Sequence, residues 1–178
     1  MPRLFTGIEI PASLAGQLAL LRGGLPGARF IEPSDYHITL RFIGDIDNPT
    51  ANEIADMLAK IRRKPFRLKL TEFDSFGKDA PRSVFANIAT SPELSELQAE
   101  HERIMQRLGL APEGRKFKPH VTIARLKNAT YQNVGDWIVM RSPPPFTPFD
   151  VTRFVLFSSR DSVGGGPYIV EQSYPLAT

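Results

Sequence analysis

HITLRFIG at residues 37–44 and PHVTIAR at residues 119–125 are the two stretches on which the reading of this chain turns. Each alternates over the length of a β-strand and carries a histidine with a threonine two positions later. Successive strand side chains point to opposite faces, so His37 and Thr39 share one face while Ile38, Leu40 and Phe42 point into a core. His120 and Thr122 repeat this, with Val121 and Ile123 opposite. The chain holds three histidines and ten threonines in 178 residues. Two such matches then have a chance probability of about 1%.

Outward from these strands the pattern is mixed. Residues 3–10 alternate, with Leu4, Thr6, Ile8 and Ile10 on one face and Arg3, Phe5, Gly7 and Glu9 on the other, which predicts a strand ended by Pro11. Leu14, Leu18 and Leu21 predict a helix over 12–22. Thr50 and Glu53 have capping-box spacing and predict a helix from there to about Arg63. Strands are expected at 66–73, 83–89, 117–126, 149–159 and 167–175. Ser91-Pro92 opens a helix that runs to about Leu108, where Gly109 stops it, and 130–140 is weakly helical. Residues 143–145 are three prolines, a stiff connector, and 164–166 are three glycines. Strands grouped between a few helices predict an α+β fold with antiparallel sheet and a loose internal duplication, one His-x-Thr strand to each half.

Composition narrows the function classes. At 178 residues with 42% hydrophobic and 23% charged residues, the chain is expected to form a single globular domain, 1–178. It has no cysteine, which excludes disulfides, zinc–thiolate sites and cysteine nucleophiles. No apolar run reaches the length of a membrane span and the first residues lack an apolar signal core, so the expectation is a cytoplasmic protein without a membrane partner. The net charge of +3 leans mildly toward polyanions, and Arg115, Lys116 and Lys118 cluster just before His120. No heptad seam is present, and a monomer is expected.

Two imidazoles, each beside a hydroxyl, suit proton transfer at a phosphate. Histidine titrates near neutral pH, so one can act as base while the other acts as acid, and the hydroxyls can hold phosphoryl oxygens. Two histidines without an evident carboxylate partner are too few for zinc, so neither metal nor other cofactor is expected. The third histidine, His101, lies among charges in ELQAEHERIMQRL and is expected to be solvent-exposed and without a role.

These residues also carry a family resemblance. Arg3-Leu4-Phe5, HITLRFIG, PHVTIAR, and FSSR at 157–160 followed by a Gly-rich turn and YIVEQSYPL resemble, in order and over essentially the whole chain, the RNA 2′,3′-cyclic phosphodiesterases. These are also called 2′–5′ RNA ligases, of the two-histidine (2H) phosphoesterase superfamily. The resemblance implies a bilobal α+β fold, with two antiparallel sheets in pseudo-twofold symmetry around a central groove and helices outside. It implies that His37 protonates the leaving ribose oxygen, that His120 activates water, and that Thr39 and Thr122 hold non-bridging oxygens. The product would be a 2′-phosphomonoester end, and 2′–5′ ligation a secondary activity. It also implies a phosphate-binding role for Arg125, although in an unbroken strand Arg125 points away from His120, so this needs a bulge. Arg41 shares a face with His37 in regular geometry, as substrate ligand or groove rim. Phe5 is a candidate for base stacking or simply core. Alternative substrates within the superfamily are ADP-ribose cyclic phosphate and 2′–5′ oligoadenylate, and a non-catalytic RNA-binding module is the alternative of a different class.

Overall fold

In the computed structural model, which describes residues 3–141, 146–159 and 167–177, the strands and four helices follow no simple alternation. The elements run β1 (Arg3–Glu9), α1 (Ala12–Ala19), β2 (Ala28–Phe30), β3 (His37–Asp45), α2 (Asn48–Leu58), β4 (Phe66–Leu68) and β5 (Leu70–Phe76). Then come β6 (Ser83–Ile88), α3 (Pro92–Arg107), β7 (His120–Leu126), α4 (Tyr131–Met140), β8 (Phe149–Val151), β9 (Arg153–Ser159) and β10 (Tyr168–Pro175). A short 3₁₀ turn, Pro33–Asp35, leads into β3.

All strand pairs are antiparallel, as the α+β reading requires. The order β10-β9-β1-β3-β7-β6-β5, with β2 also on β7, makes two four-stranded halves that meet only through β3 and β7. That junction is a single register pair, Ile38↔Val121, both fully buried. The two sheets of the expected fold are thus joined by one rung. A small separate ribbon pairs β4 with β8. The helices supply Leu18, Ile54, Leu58, Leu97, Ile104 and Trp137 to one continuous core on one face of the sheet, and none of them lines the groove on the other.

A local twofold through Ile38 and Val121 carries His37 onto His120 and Thr39 onto Thr122. It also carries one irregularity onto another. On β3 the register with β1 slips by one residue at Leu40, between Gly7↔Thr39 and Thr6↔Arg41. On β7 the register with β6 slips at Ile123, between Phe85↔Thr122 and Val84↔Ala124. Each is a one-residue β-bulge immediately after the threonine, and each inverts the in–out alternation beyond it. Arg125 is thereby turned onto the His120 face, which supplies the bulge its role needs. One expectation from unbroken alternation is corrected by the other bulge. Phe42 is turned out of the core and is 45% exposed. Arg41 is buried with its guanidinium turned to Glu102 of α3, while it still borders the groove that His37 lines.

Other differences are local. The α2 helix starts earlier than the capping-box spacing suggests, because the Asp47 side chain caps it by accepting the Thr50 N–H at 2.8 Å, and it ends at Leu58. Ser91 caps α3 as read. The strand expected over 66–73 is two, β4 and β5, and that over 149–159 is also two, β8 and β9. The strand expected from 117 begins at His120, and β2 escaped the reading altogether. The prolines at 143–145 and the glycines at 164–166 lie outside the described residues. His101, expected at the surface, is fully buried: it shares a 2.8 Å hydrogen bond with Thr6 on β1 and packs edge-on to Phe154. The charges around it in sequence occupy the other faces of α3, and sequence neighbours do not report which face a helix buries.

Candidate active site

The two His-x-Thr strands run side by side along the floor of a groove of about 950 Å³ that His37, Thr39, His120 and Thr122 all line. Continuing the register one residue either side of Ile38↔Val121 sets His37 across from Thr122 and Thr39 across from His120. The two histidines are then diagonal neighbours, a spacing of about 7–8 Å between backbones in a regular ladder. Imidazoles reaching over from such positions can face one phosphorus from two sides.

Each ring is held the same way. His37 Nδ1 lies 2.8 Å from the Asp35 carbonyl, and His120 Nδ1 lies 2.6 Å from the Lys118 carbonyl. A carbonyl only accepts, so Nδ1 carries the hydrogen in both rings and Nε2 is left for chemistry. His37 Nε2 is 3.0 Å from Thr39 Oγ1, whose hydroxyl donates to it in this tautomer.

The surroundings differ. His37 is walled by aromatic rings, with Phe5 at 5.1 Å, Phe157 at 5.6 Å and Tyr168 at 5.0 Å between centroids. Gly7, opposite Thr39, keeps this corner open, since a Cβ there would sit 2.7 Å from the Ile38 carbonyl oxygen and 3.1 Å from Phe157. His120 meets Phe76 at 5.1 Å and Phe85 at 5.0 Å. Burial is the first cause that lowers His37, from 6.5 to about 4, with the charges of His120 and Arg125 adding to it against the Asp35 hydrogen bond. Burial also lowers His120, with Lys118 and Arg125 adding to it and the Lys118 carbonyl opposing. Both rings are therefore neutral at pH 7 in the empty groove.

The remaining expected residues divide. Arg125 lines the groove with Arg82, Arg115, Lys116 and Lys118, a cationic wall on the β7 side. Phe5 is 5% exposed and stacks on Phe157 at 4.9 Å, so it backs His37 as wall rather than offering a free face to a base. Arg41 spends its guanidinium on Glu102 at 2.9 Å and on the carbonyls of Phe42 and Ala111, each at 2.6 Å. It ties β3 to α3 and to the loop that follows. Sequence reasoning missed Phe42, whose exposed ring lies in the groove with the Arg3 guanidinium 5.6 Å from its centroid. It also missed Phe157 and Tyr168, which reach His37 from strands far along the chain. Only the Phe42 signal was available locally, in the match between HITLRF and HVTIAR that sets Phe42 against Arg125.

Among the described residues no group of three or more His, Cys, Asp or Glu could hold a metal ion. Nor is any described helix long and apolar enough to cross a membrane.

Comparisons with known proteins agree with the duplicated geometry. The model of the family described as LigT like Phosphoesterase matches residues 8–86 and again 87–168. A protein of Aeropyrum pernix named RNA 2′,3′-cyclic phosphodiesterase is 41% identical over 123 residues, which is 65% of this chain and 69% of that protein. One of the same name from Bacillus subtilis is 31% identical over 168 residues, covering 91% and 86%. Among solved structures, E. coli LigT complexed with 3′-AMP superposes with a TM-score of 0.82 at 24% identity, over 100% of both chains, a likeness of fold.

Proposed function

The chain belongs to the LigT-like phosphoesterase family, and on that premise we propose that it opens RNA 2′,3′-cyclic phosphate ends to 2′-phosphomonoesters without a metal. His37 serves as acid, His120 as base, and 1–178 acts as one two-lobed domain. The observation that carries this reading is the dyad itself: two imidazoles that line one groove with Nδ1 tied to backbone carbonyls, His37 Nε2 meeting the Thr39 hydroxyl that is to hold the phosphate.

The steps follow from that arrangement. The cyclic phosphate sits between Thr39 and Thr122, whose hydroxyls donate to its non-bridging oxygens, with Arg125 balancing its charge. His120 Nε2 takes a proton from water as the oxygen attacks phosphorus. The bond from phosphorus to the 3′-oxygen breaks opposite the attacking water, and His37 Nε2–H protonates that oxygen. One proton enters at His120 and one leaves from His37, so the pair is restored by exchange with solvent. An acid must be charged, and His37 in the empty groove is not. The phosphate anion supplies the missing opposite charge and draws the proton on as substrate binds. Attack by a 5′-hydroxyl in place of water gives 2′–5′ ligation by the same transfers. The cations beyond Arg125 exceed what one phosphate needs, which suits a substrate with further phosphates, as RNA has.

Cyclic-phosphate opening on an RNA oligonucleotide tests the reading. His37→Ala and His120→Ala proteins are expected to keep the fold by circular dichroism and to lose turnover, and wild-type rates in both would overturn it. Activity should persist in excess EDTA. A proton NMR titration should find His37 near 4 alone and raised when inorganic phosphate is added. An unmoved value would remove it as the acid.

A further inference from the structure

The residues two places before the histidines break the symmetry of the site in charge. That position is Asp35 in one copy and Lys118 in the other. Their backbones do the same thing, each carbonyl accepting from a histidine Nδ1. Their side chains do not. Asp35 turns toward β10, where its Oδ1 accepts the Tyr168 N–H at 3.2 Å. The Lys118 ammonium lies 5.2 Å from the Phe76 ring and 5.0 Å from the Phe85 ring. These are the two rings that flank His120. A surface lysine on a flexible four-carbon stem ordinarily samples many positions, and two aromatic faces restrict this one to the neighbourhood of a single imidazole.

We propose that Lys118 is a positioning residue that makes His120 the base of the pair, by fixing a positive charge beside that imidazole so that it stays unprotonated until it receives the proton of water. The inference rests on the acid–base reading above. The other charged groups near His120 do not discriminate between the rings. Arg125, on the same strand, disfavours the charged form of both histidines. Arg115, Lys116 and Glu113 line the groove from the loop before β7, and Arg82 from before β6. Glu72 on β5 is tied by hydrogen bond to Asn87, the β6 residue opposite His120. His37, across the groove, is neutral in the empty site. Lys118 therefore supplies a bias to His120 that no lysine supplies to His37. Burial works against this order by holding His37 down to about 4 in the empty groove, so the proton reaches His37 only once phosphate is bound there, and the Lys118 charge keeps it off His120 meanwhile.

The test compares wild type, Lys118→Met and Lys118→Arg at low ionic strength, following kcat at saturating cyclic-phosphate oligonucleotide from pH 5 to 8, together with the NMR titration of His120. Lys118 is exposed, so the variants should fold. Lys118→Met should move the acidic limb and the His120 titration upward by up to about one pH unit, an effect bounded by solvent screening. Activity then falls up to about 10-fold at the acidic end, beyond any loss at pH 8, and added salt narrows the gap. Lys118→Arg should restore both. A limb or a titration that stays in place overturns the proposal, as does an equal loss at every pH, which means that Lys118 only anchors phosphate. His120→Ala, run alongside, separates the two readings. If it stays active, the acid–base reading has failed. If it is inactive while Lys118→Met leaves the limb unmoved, only the role of Lys118 has failed.

Discussion

The β3 and β7 copies of the active strand agree from the histidine to the bulge and part company beyond it. Each has a carbonyl-tethered imidazole, a hydroxyl on the same face and an extra residue straight after, Leu40 in one and Ile123 in the other. At the next position β3 has a buried arginine spent on α3, where β7 has a buried alanine. At the position after that, β3 offers the groove an exposed phenylalanine and β7 an arginine. The shared part provides two imidazoles held alike, the two proton carriers of the proposed reaction. The unshared part gives the groove a direction, with aromatic surface on one side and cationic surface on the other. On the proposed reaction a symmetric site could not tell which oxygen of a cyclic phosphate to release, and these differences are the candidates for that choice.

The equivalence of the two carriers breaks most visibly if both are removed. Either histidine substitution should cost about 10²–10⁴-fold in turnover, and the double variant little more than the worse single one, because both serve one event. Losses that multiply would mean separate events. Next is the position after the bulge. Arg41→Ala should lower folding stability by about 2–4 kcal/mol in urea denaturation, because it removes the cation that Glu102 and two carbonyls share. Full retention of stability would make Arg41 a free groove residue after all. One position on, Arg125→Ala and Phe42→Ala should each cost roughly 10- to 100-fold in kcat/KM on RNA, from a lost charged hydrogen bond and a lost stacking face. Only the Arg125 effect should shrink with added salt. The smallest effect on activity belongs to His101, which lies behind β1 on one side only. Burial first, and the charge of Arg63 second, lower it from 6.5 to about 3. The unfolded chain takes up that proton first, so this contribution to stability is complete above about 6.5 and is lost at about 1.4 kcal/mol per unit as pH falls toward 3. His101→Gln should flatten the dependence of the urea midpoint on pH while leaving activity at pH 7. An unchanged slope would mean that His101 is not buried uncharged.

Much of this was legible locally. Strand alternation and a repeated motif were enough for the antiparallel α+β fold and for the four residues His37, Thr39, His120 and Thr122. What was not legible has one physical cause, because period-2 reasoning holds only while the strand is regular. A bulge changes the phase without a marked residue: Leu40 and Ile123 are ordinary apolar side chains, and the slip shows only against the partner strand. Phe42 was therefore set on the wrong face, the turn of the Arg41 guanidinium to Glu102 was not foreseen, and Arg125 could be placed only conditionally. His101 failed for a related reason, since its polar partner Thr6 is 95 residues away. Phe157 and Tyr168 are equally remote from the ring they enclose.

That remoteness bears on the order in which the molecule can be made. The half that carries His37 is assembled from β1 and β3 near the start of the chain and β9 and β10 near its end, while β5–β7 of the His120 half lie between these pairs and its β2 lies between β1 and β3. On a ribosome the His120 half can pair its strands first, but the His37 ring lacks two of its enclosing aromatics until the last two strands have emerged. A nascent chain thus holds an incomplete groove, and the aromatic surround of His37 is finished only when translation has passed Tyr168.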